Sequence, residues 1–240
     1  MQRYLPFDYQ GLQHLPMIAK WKRDLEIYSR LHHQSWPLLL LTKQGLWAIA
    51  QYRLSAWIDQ QVRLPMIRPL LQGICLIWKK LIELTMGIEL PRQVTIDQGL
   101  FLPHAQNIVL HPDVRMGRDC TISHGVTIGL AGRGANQGTP EIGNRVYIAP
   151  GAKVFGKIRI GDDVAIGANA VVTKDLPDGA VAVGIPAKVI SYQGSGDFLH
   201  YLDSEGQKQM VSEPAKISVE FTSSDLTEPI ALRSIRHEKN

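Results

Sequence analysis

The chain has very little cysteine, with only Cys75 and Cys120 in 240 residues. Two thiols without metal-ligand spacing exclude a disulfide-stapled secreted framework and a zinc cluster of cysteines, and they point to a reducing, cytoplasmic setting. Charge of one sign is also scarce. The 26 basic and 22 acidic residues are interspersed, the formal net charge is +4, and no basic run marks a nucleic-acid surface. Long apolar runs are missing too. The greasiest stretches, 36–50 and 64–84, are broken by Lys43, Arg68, Lys79 and Lys80, short of the ~20 uninterrupted residues that a membrane span needs, so no transmembrane segment is expected. The opening residues lack the basic-then-apolar order of a secretion signal.

What is present divides into three parts. Residues 1–86 read as an α-helical domain, because apolar residues such as Leu46, Ile49, Ala50, Leu54 and Trp57 recur at three-to-four spacing. Pro16, Pro37, Pro65 and Pro69 cut it into several short helices. The four tryptophans at 36, 47, 57 and 78 read as packing residues. Beyond Ser191 the sequence turns polar, and 191–240 reads as a flexible tail.

Between these lies a repeat. An aliphatic residue returns every six positions: Leu90, Ile96, Leu102, Ile108; then, after a two-residue slip, Met116, Ile122, Ile128; then Ile142, Ile148, Val154, Ile160, Ile166, Val172. A helix repeats at 3.6 and a half-buried strand at 2, so a period of six fits neither. It fits a three-sided coil of short strands, three six-residue sides per turn, whose stacked turns bury one aliphatic column. Residues 87–190 are therefore expected to form a parallel β-helix, mainly β in class, with the slips marking insertions at corners. Glycines 117, 129, 143, 161 and 167 beside the aliphatic residues read as sharp bends.

Flat hydrogen-bonded sides offer little concavity, so sites are expected in protruding loops or between subunits. One loop, GLAGRGANQGTPE, interrupts the repeat between Ile128 and Ile142. His104 lies two residues after the inward Leu102 and so faces outward, where a neutral imidazole can take the proton of an alcohol attacking a thioester. Glu89, fifteen residues earlier and close to one eighteen-residue coil, is placed to orient that imidazole. His104, His111 and His124 also leave open a zinc hydratase, in which three histidines bind zinc at the interface between subunits of a trimeric β-helix.

The segment GIELPRQVTIDQGLFLPHAQNI, the Gly-rich loop, the closing VGIPAKVI and the helical KQGLWAIAQYRLSAWI together resemble the serine acetyltransferases of the hexapeptide-repeat superfamily, over roughly residues 30–190. The resemblance implies a left-handed parallel β-helix, a homotrimer or a pair of trimers, and an acetyl-CoA-dependent O-acetyltransferase of cysteine biosynthesis, with no metal. It implies His104 as base and Glu89 as its acidic partner. It implies that CoA meets Gly132, Arg133, Ala149, Ala168, Thr173, Lys174 and Lys188.

Departures are clear as well. Gly138 and Thr139 stand where the family has an Arg-His pair, and Pro103 stands where an aspartate precedes the base; all three are candidate acceptor contacts. Arg30 occupies the place of the helical domain's substrate-binding aspartate. A sugar hydroxyl of a cell-surface glycan is therefore the alternative acceptor, since similar short relatives with an LPH motif look like acetyltransferases of that kind. The C-terminal HEKN lacks the isoleucine by which the family binds its sulfhydrylase partner, so that complex is not expected.

Overall fold

The computed structural model describes residues 16–134 and 137–199. Four helices come first: α1 (Met17–His32), α2 (Trp36–Thr42), α3 (Gln44–Gln61) and α4 (Ile67–Met86). Gly87 ends α4 in a left-handed conformation, and the chain enters a three-sided parallel prism.

The first side stacks Thr95–Ile96, Arg115–Met116, Glu141–Ile142 and Arg159–Ile160. The second stacks Thr121–Ile122, Tyr147–Ile148, Ala165–Ile166 and Val181–Val183, with Lys188–Ser191 added antiparallel. The third stacks Val109–Leu110, Thr127–Gly129, Lys153–Phe155 and Val171–Val172. The six-residue aliphatic series points inward throughout, from Leu90 at 4% exposure to Val172 at 1%.

Coil length is not constant. Phe101 pairs with Thr121, a step of 20, whereas Val109 pairs with Thr127, a step of 18. The two additional residues fall between Leu102 and Asn107, at the corner joining the second and third sides. The sequence series sets a two-residue slip after Ile108, whereas the structure places it earlier, before Leu110, the strand residue that pairs with Ile128. Glu89 pairs with Val109, also a step of 20, so its rung neighbour lies five residues past His104.

The glycines beside the aliphatic residues have a different cause from the expected bends. Gly143 is not in the left-handed region; a Cβ there would lie 2.7 Å from the Gly161 backbone in the next coil. Close stacking of coils, not turning, excludes a side chain. The left-handed residues form two other corner columns, one being Gly99, Asp119, Arg145, Asp163 and Gly179.

The helices cover the top of the prism, where the first coil has no coil above it to satisfy its backbone. Arg53 donates to the carbonyls of Ile96 (2.7 Å) and Asp97 (2.5 Å), and Asp24 accepts from the amides of Gly99 (2.7 Å) and Leu100 (2.8 Å). Arg53 and Asp24 also pair with each other, with Nε at 2.9 Å, both side chains at or below 5% exposure. Tyr52 Oη donates to Val94 O (2.7 Å) and accepts from Ile96 N (3.2 Å). A sheet edge is thus closed by side chains rather than by another strand.

Two expectations need correcting. Trp36, Trp47 and Trp57 are exposed in the single chain (62%, 41% and 36%) and pack less than expected. The polar segment does not begin at 191 as a free tail. Ser195 and Leu199 are buried, Ser195 Oγ donates to Arg145 O, and Phe198 stacks on Tyr147 at 4.9 Å. The rest of the expected tail lies outside the described residues. No helix among the described residues is long and apolar enough to cross a membrane.

Candidate active site

His104 owes its position to the lengthened corner. Leu102 is anchored inward, the next residue is Pro103, and the amide of Gln106 bonds back to the carbonyl of His104 at 2.9 Å. This tight return pushes the imidazole into the open, and His104 is exposed as expected. Its ring makes no hydrogen bond among the described residues. Its neighbour is His124 of the next coil, edge-on with ring centroids 5.9 Å apart. The spacing of 20 between His104 and His124 is one coil at that corner, and it is the sequence signal that joins the two rings. His111 stands at a different corner, where its Nδ1 accepts from the amide of Asp113 (3.3 Å), so one chain does not gather the three histidines.

Glu89 is exposed on the third side, and its carboxylate makes no hydrogen bond among the described residues. It acts electrostatically on Lys80 of α4, whose pKa is raised first by a hydrogen bond to Glu83 and in small part by Glu89. The structure shows Glu89 and His104 on one coil without a bond between them.

Below His104 the same corner runs on through His124, Pro150, Ala168 and Gly184 of successive coils, and this edge has Ala149 one residue before Pro150. Lys188 lies beside its lower end, paired with Val183. Gly132, Arg133, Thr173 and Lys174 lie instead at the corner between the third and first sides, where the loop departs. The residues expected to bind CoA are therefore split between two edges, with the third side between them. Arg133, Lys174 and Lys188 are exposed cations with no acidic partner among the described residues, which suits a polyphosphate ligand.

The loop is a hairpin closed by reciprocal bonds between Ala131 and Gly138 (3.1 and 3.0 Å). A Cβ at Gly138 would lie 2.7 Å from the Lys157 side chain, so the arginine of the resembled pattern has no space here unless Lys157 moves. Thr139 Oγ1 donates to Asp113 O at 3.1 Å. Neither residue shares the corner of His104 in its own chain; Pro103 does.

Cys120, the thiol nearest in sequence, is fully buried, and desolvation pushes it up to about 12. It is no nucleophile at neutral pH.

Comparison with known proteins agrees with this geometry. The family described as bacterial transferase hexapeptide (six repeats) matches residues 139–174. A serine acetyltransferase of Helicobacter pylori is 41% identical over 156 residues, covering 65% of this chain and 86% of that protein. One from Synechococcus elongatus is 36% identical over 156 residues, covering 65% and 61%. Among solved structures, the Neisseria gonorrhoeae serine acetyltransferase in complex with serine superposes with a TM-score of 0.62 at 27% identity, covering 76% of this chain and 72% of that one. A serine acetyltransferase in complex with CoA gives a TM-score of 0.61 at 27% identity and the same coverage. With its stacked six-residue sides, its bulged histidine corner and a relative matched over most of its length, this chain belongs to the serine acetyltransferase family.

Proposed function

We propose that the chain transfers the acetyl group of acetyl-CoA to the hydroxyl of serine, forming O-acetylserine, with His104 as general base. The observation that carries this is the two-residue bulge that presents an unbonded imidazole at the head of the edge running through His124, Pro150, Ala168 and Gly184. The acceptor oxygen attacks the thioester carbonyl carbon as its proton passes to the His104 imidazole. When the carbon–sulfur bond breaks, the same proton goes to the departing sulfur, and the imidazole is restored. Glu89 balances the transient imidazolium. Transfer is direct, since no activated nucleophile stands beside the base.

Ala149 and Ala168 leave space for the pantetheine arm, and Gly132, Arg133, Thr173, Lys174 and Lys188 meet the nucleotide and its phosphates. Because these groups occupy two edges of one prism, the complete site is built between copies in a homotrimer, one edge from each neighbour. Gly138 and Thr139 of an adjacent copy then face Pro103 and the acceptor. The apolar stripe on α4 joins further copies. Two free thiols and the need for acetyl-CoA are in keeping with a cytoplasmic location. The relatives named above are all serine acetyltransferases, which favours serine over a glycan hydroxyl.

Release of CoA thiol from acetyl-CoA tests the reading. Serine-dependent release should fall ~10²–10⁴-fold in His104→Ala with little change in CoA affinity. Release with a glycan acceptor but none with serine would overturn the choice of acceptor.

A further inference from the structure

A cavity of about 370 Å³ opens between the helices and the His104 corner. Tyr28, His32 and Lys43 line it from the helical side, and Leu102, Pro103 and His104 from the prism. Beside the cavity the helices and the prism are in close contact. Gly45 packs so tightly that a Cβ there would lie 2.2 Å from Tyr28 Oη and 2.5 Å from Leu102 O. Just outside that contact the α2–α3 junction draws back from the bulged corner.

The lining has an uneven charge. Lys43 is the one lysine or arginine in the lining, and no lining residue carries a carboxylate. Lys43 is half-buried and has no acidic partner among the described residues. It immediately precedes α3, yet its side chain does no capping work. His32 lies one helical turn from Tyr28, with ring centroids 6.3 Å apart. Burial first, and the Lys43 ammonium second, lower its pKa from the usual 6.5, which places the two groups within electrostatic reach. A partly desolvated ammonium beside an imidazole is an arrangement that an anion relieves.

We infer that this cavity is the acceptor's carboxylate subsite, in which Lys43, with His32 beside it, binds the carboxylate of a small β-hydroxy acid and so turns its hydroxyl toward His104. The inference rests on the proposed acetyl transfer and adds what the acceptor must carry. It also explains how a chain with Gly138 and Thr139 at the positions of an Arg-His pair can still hold an acid: the cation comes from the helical domain instead of the loop. With no lining carboxylate to receive an ammonium, the acceptor's acid group decides binding and its amino group matters less.

Steady-state kinetics of the full chain test this with three acceptors: L-serine, serinamide, which lacks the carboxylate, and 3-hydroxypropanoate, which lacks the ammonium. The intact protein should prefer serine to serinamide ~10–100-fold in kcat/KM, the usual worth of one charge-assisted hydrogen bond, and accept 3-hydroxypropanoate with a smaller loss. Lys43→Ala should raise the KM for serine by a similar factor, leave kcat and the KM for acetyl-CoA nearly unchanged, and bring serine and serinamide together. Lys43→Arg should keep the preference. Lys43→Gln, which retains the aliphatic stem, should repeat the alanine result if alanine loosens the start of α3. A preference for serine over serinamide that survives both Lys43→Ala and Lys43→Gln would overturn the subsite while leaving the reaction standing. Absence of thiol release by the intact protein with all three acceptors would overturn the reaction and the subsite together.

Discussion

The hydroxyl of Tyr28 both donates to the carbonyl of Leu102 (3.0 Å) and accepts from its amide (3.2 Å), clamping the residue two positions before His104. No coil lies above Leu102, so without Tyr28 its peptide groups would be buried and unpaired. Tyr28→Phe should cost about 1–3 kcal/mol, the penalty for orphaned buried polar groups. The melting midpoint should drop by roughly 2–4 °C for each kcal/mol lost in a chain of this size. Because the bulged corner loses its anchor, kcat should fall as well. An unchanged melt together with unchanged kcat would show that the clamp holds nothing.

Asp24 and Arg53 form the larger fastening, with the carboxylate receiving four hydrogen bonds, two from the guanidinium and two from the prism. Removing the Asp24 charge leaves the buried Arg53 with two backbone carbonyls but without its paired carboxylate. Asp24→Asn should therefore destabilise by about 3–5 kcal/mol in urea unfolding, and the double apolar change Asp24→Leu with Arg53→Met by less. A double variant weaker than Asp24→Asn would contradict this account.

The prism was legible because its signal is purely local: from Ile142 to Val172 each side holds six residues, and each aliphatic residue marks the inward position. His104 was legible for the same reason, two steps past Leu102 and hence outward. Contacts that join the helices to the first coil were not. Tyr28 meets Leu102 across 74 residues, Arg53 meets Ile96 across 43, and no periodicity connects them. The YR pair in α3 was visible as a resemblance, whereas its work as an edge cap became visible only once the first coil's open backbone was in view. Glu89 illustrates a third case. A coil of 18 would have set it differently from the coil of 20 that the bulge creates, and a period alone cannot say in which coil a corner insertion lengthens the step.

Glu89 supplies a graded test of the base. If its carboxylate balances the His104 imidazolium, Glu89→Gln should lower kcat, by less than the ~10²–10⁴-fold expected of removing the base itself. The KM for acetyl-CoA should stay put. A loss equal to that of His104→Ala would make Glu89 more than a balancing charge, and no loss would remove it from the mechanism.

α4 leaves Ile67, Leu70, Ile74, Ile77, Leu81 and Leu84 uncovered, from 47% to 83% exposed, at alternating three- and four-residue steps. A stripe with that spacing fits another helix carrying the same pattern, and a second copy of this chain supplies one. Sedimentation of Ile74→Glu with Ile77→Glu should show a smaller assembly than the unaltered protein. An unchanged mass would mean that copies meet elsewhere.

Cys120 allows the direct-transfer mechanism to be checked by pH. Its thiol lies within the prism, donating to Gly143 O at 3.3 Å, and burial pushes it up to about 12. At pH 8 only about one thiol in 10⁴ is ionised, so alkylation of the folded protein should be very slow and should become fast in denaturant; a Cys75→Ser background isolates the signal. The sign of the linkage follows from the raised value. The unfolded chain loses this proton near the ordinary thiol pKa of about 9, whereas the folded chain holds it, so the contribution is fully present below pH 9 and is lost as pH rises toward 12. The raised value corresponds to about 4 kcal/mol at most. Cys120→Ala should consequently show a flatter fall in stability between pH 9 and 12 than the unaltered chain. Rapid alkylation of the folded protein at pH 8, or an acetylated Cys120 trapped during turnover, would place a nucleophile where the structure puts a sealed thiol and would overturn direct attack on the thioester.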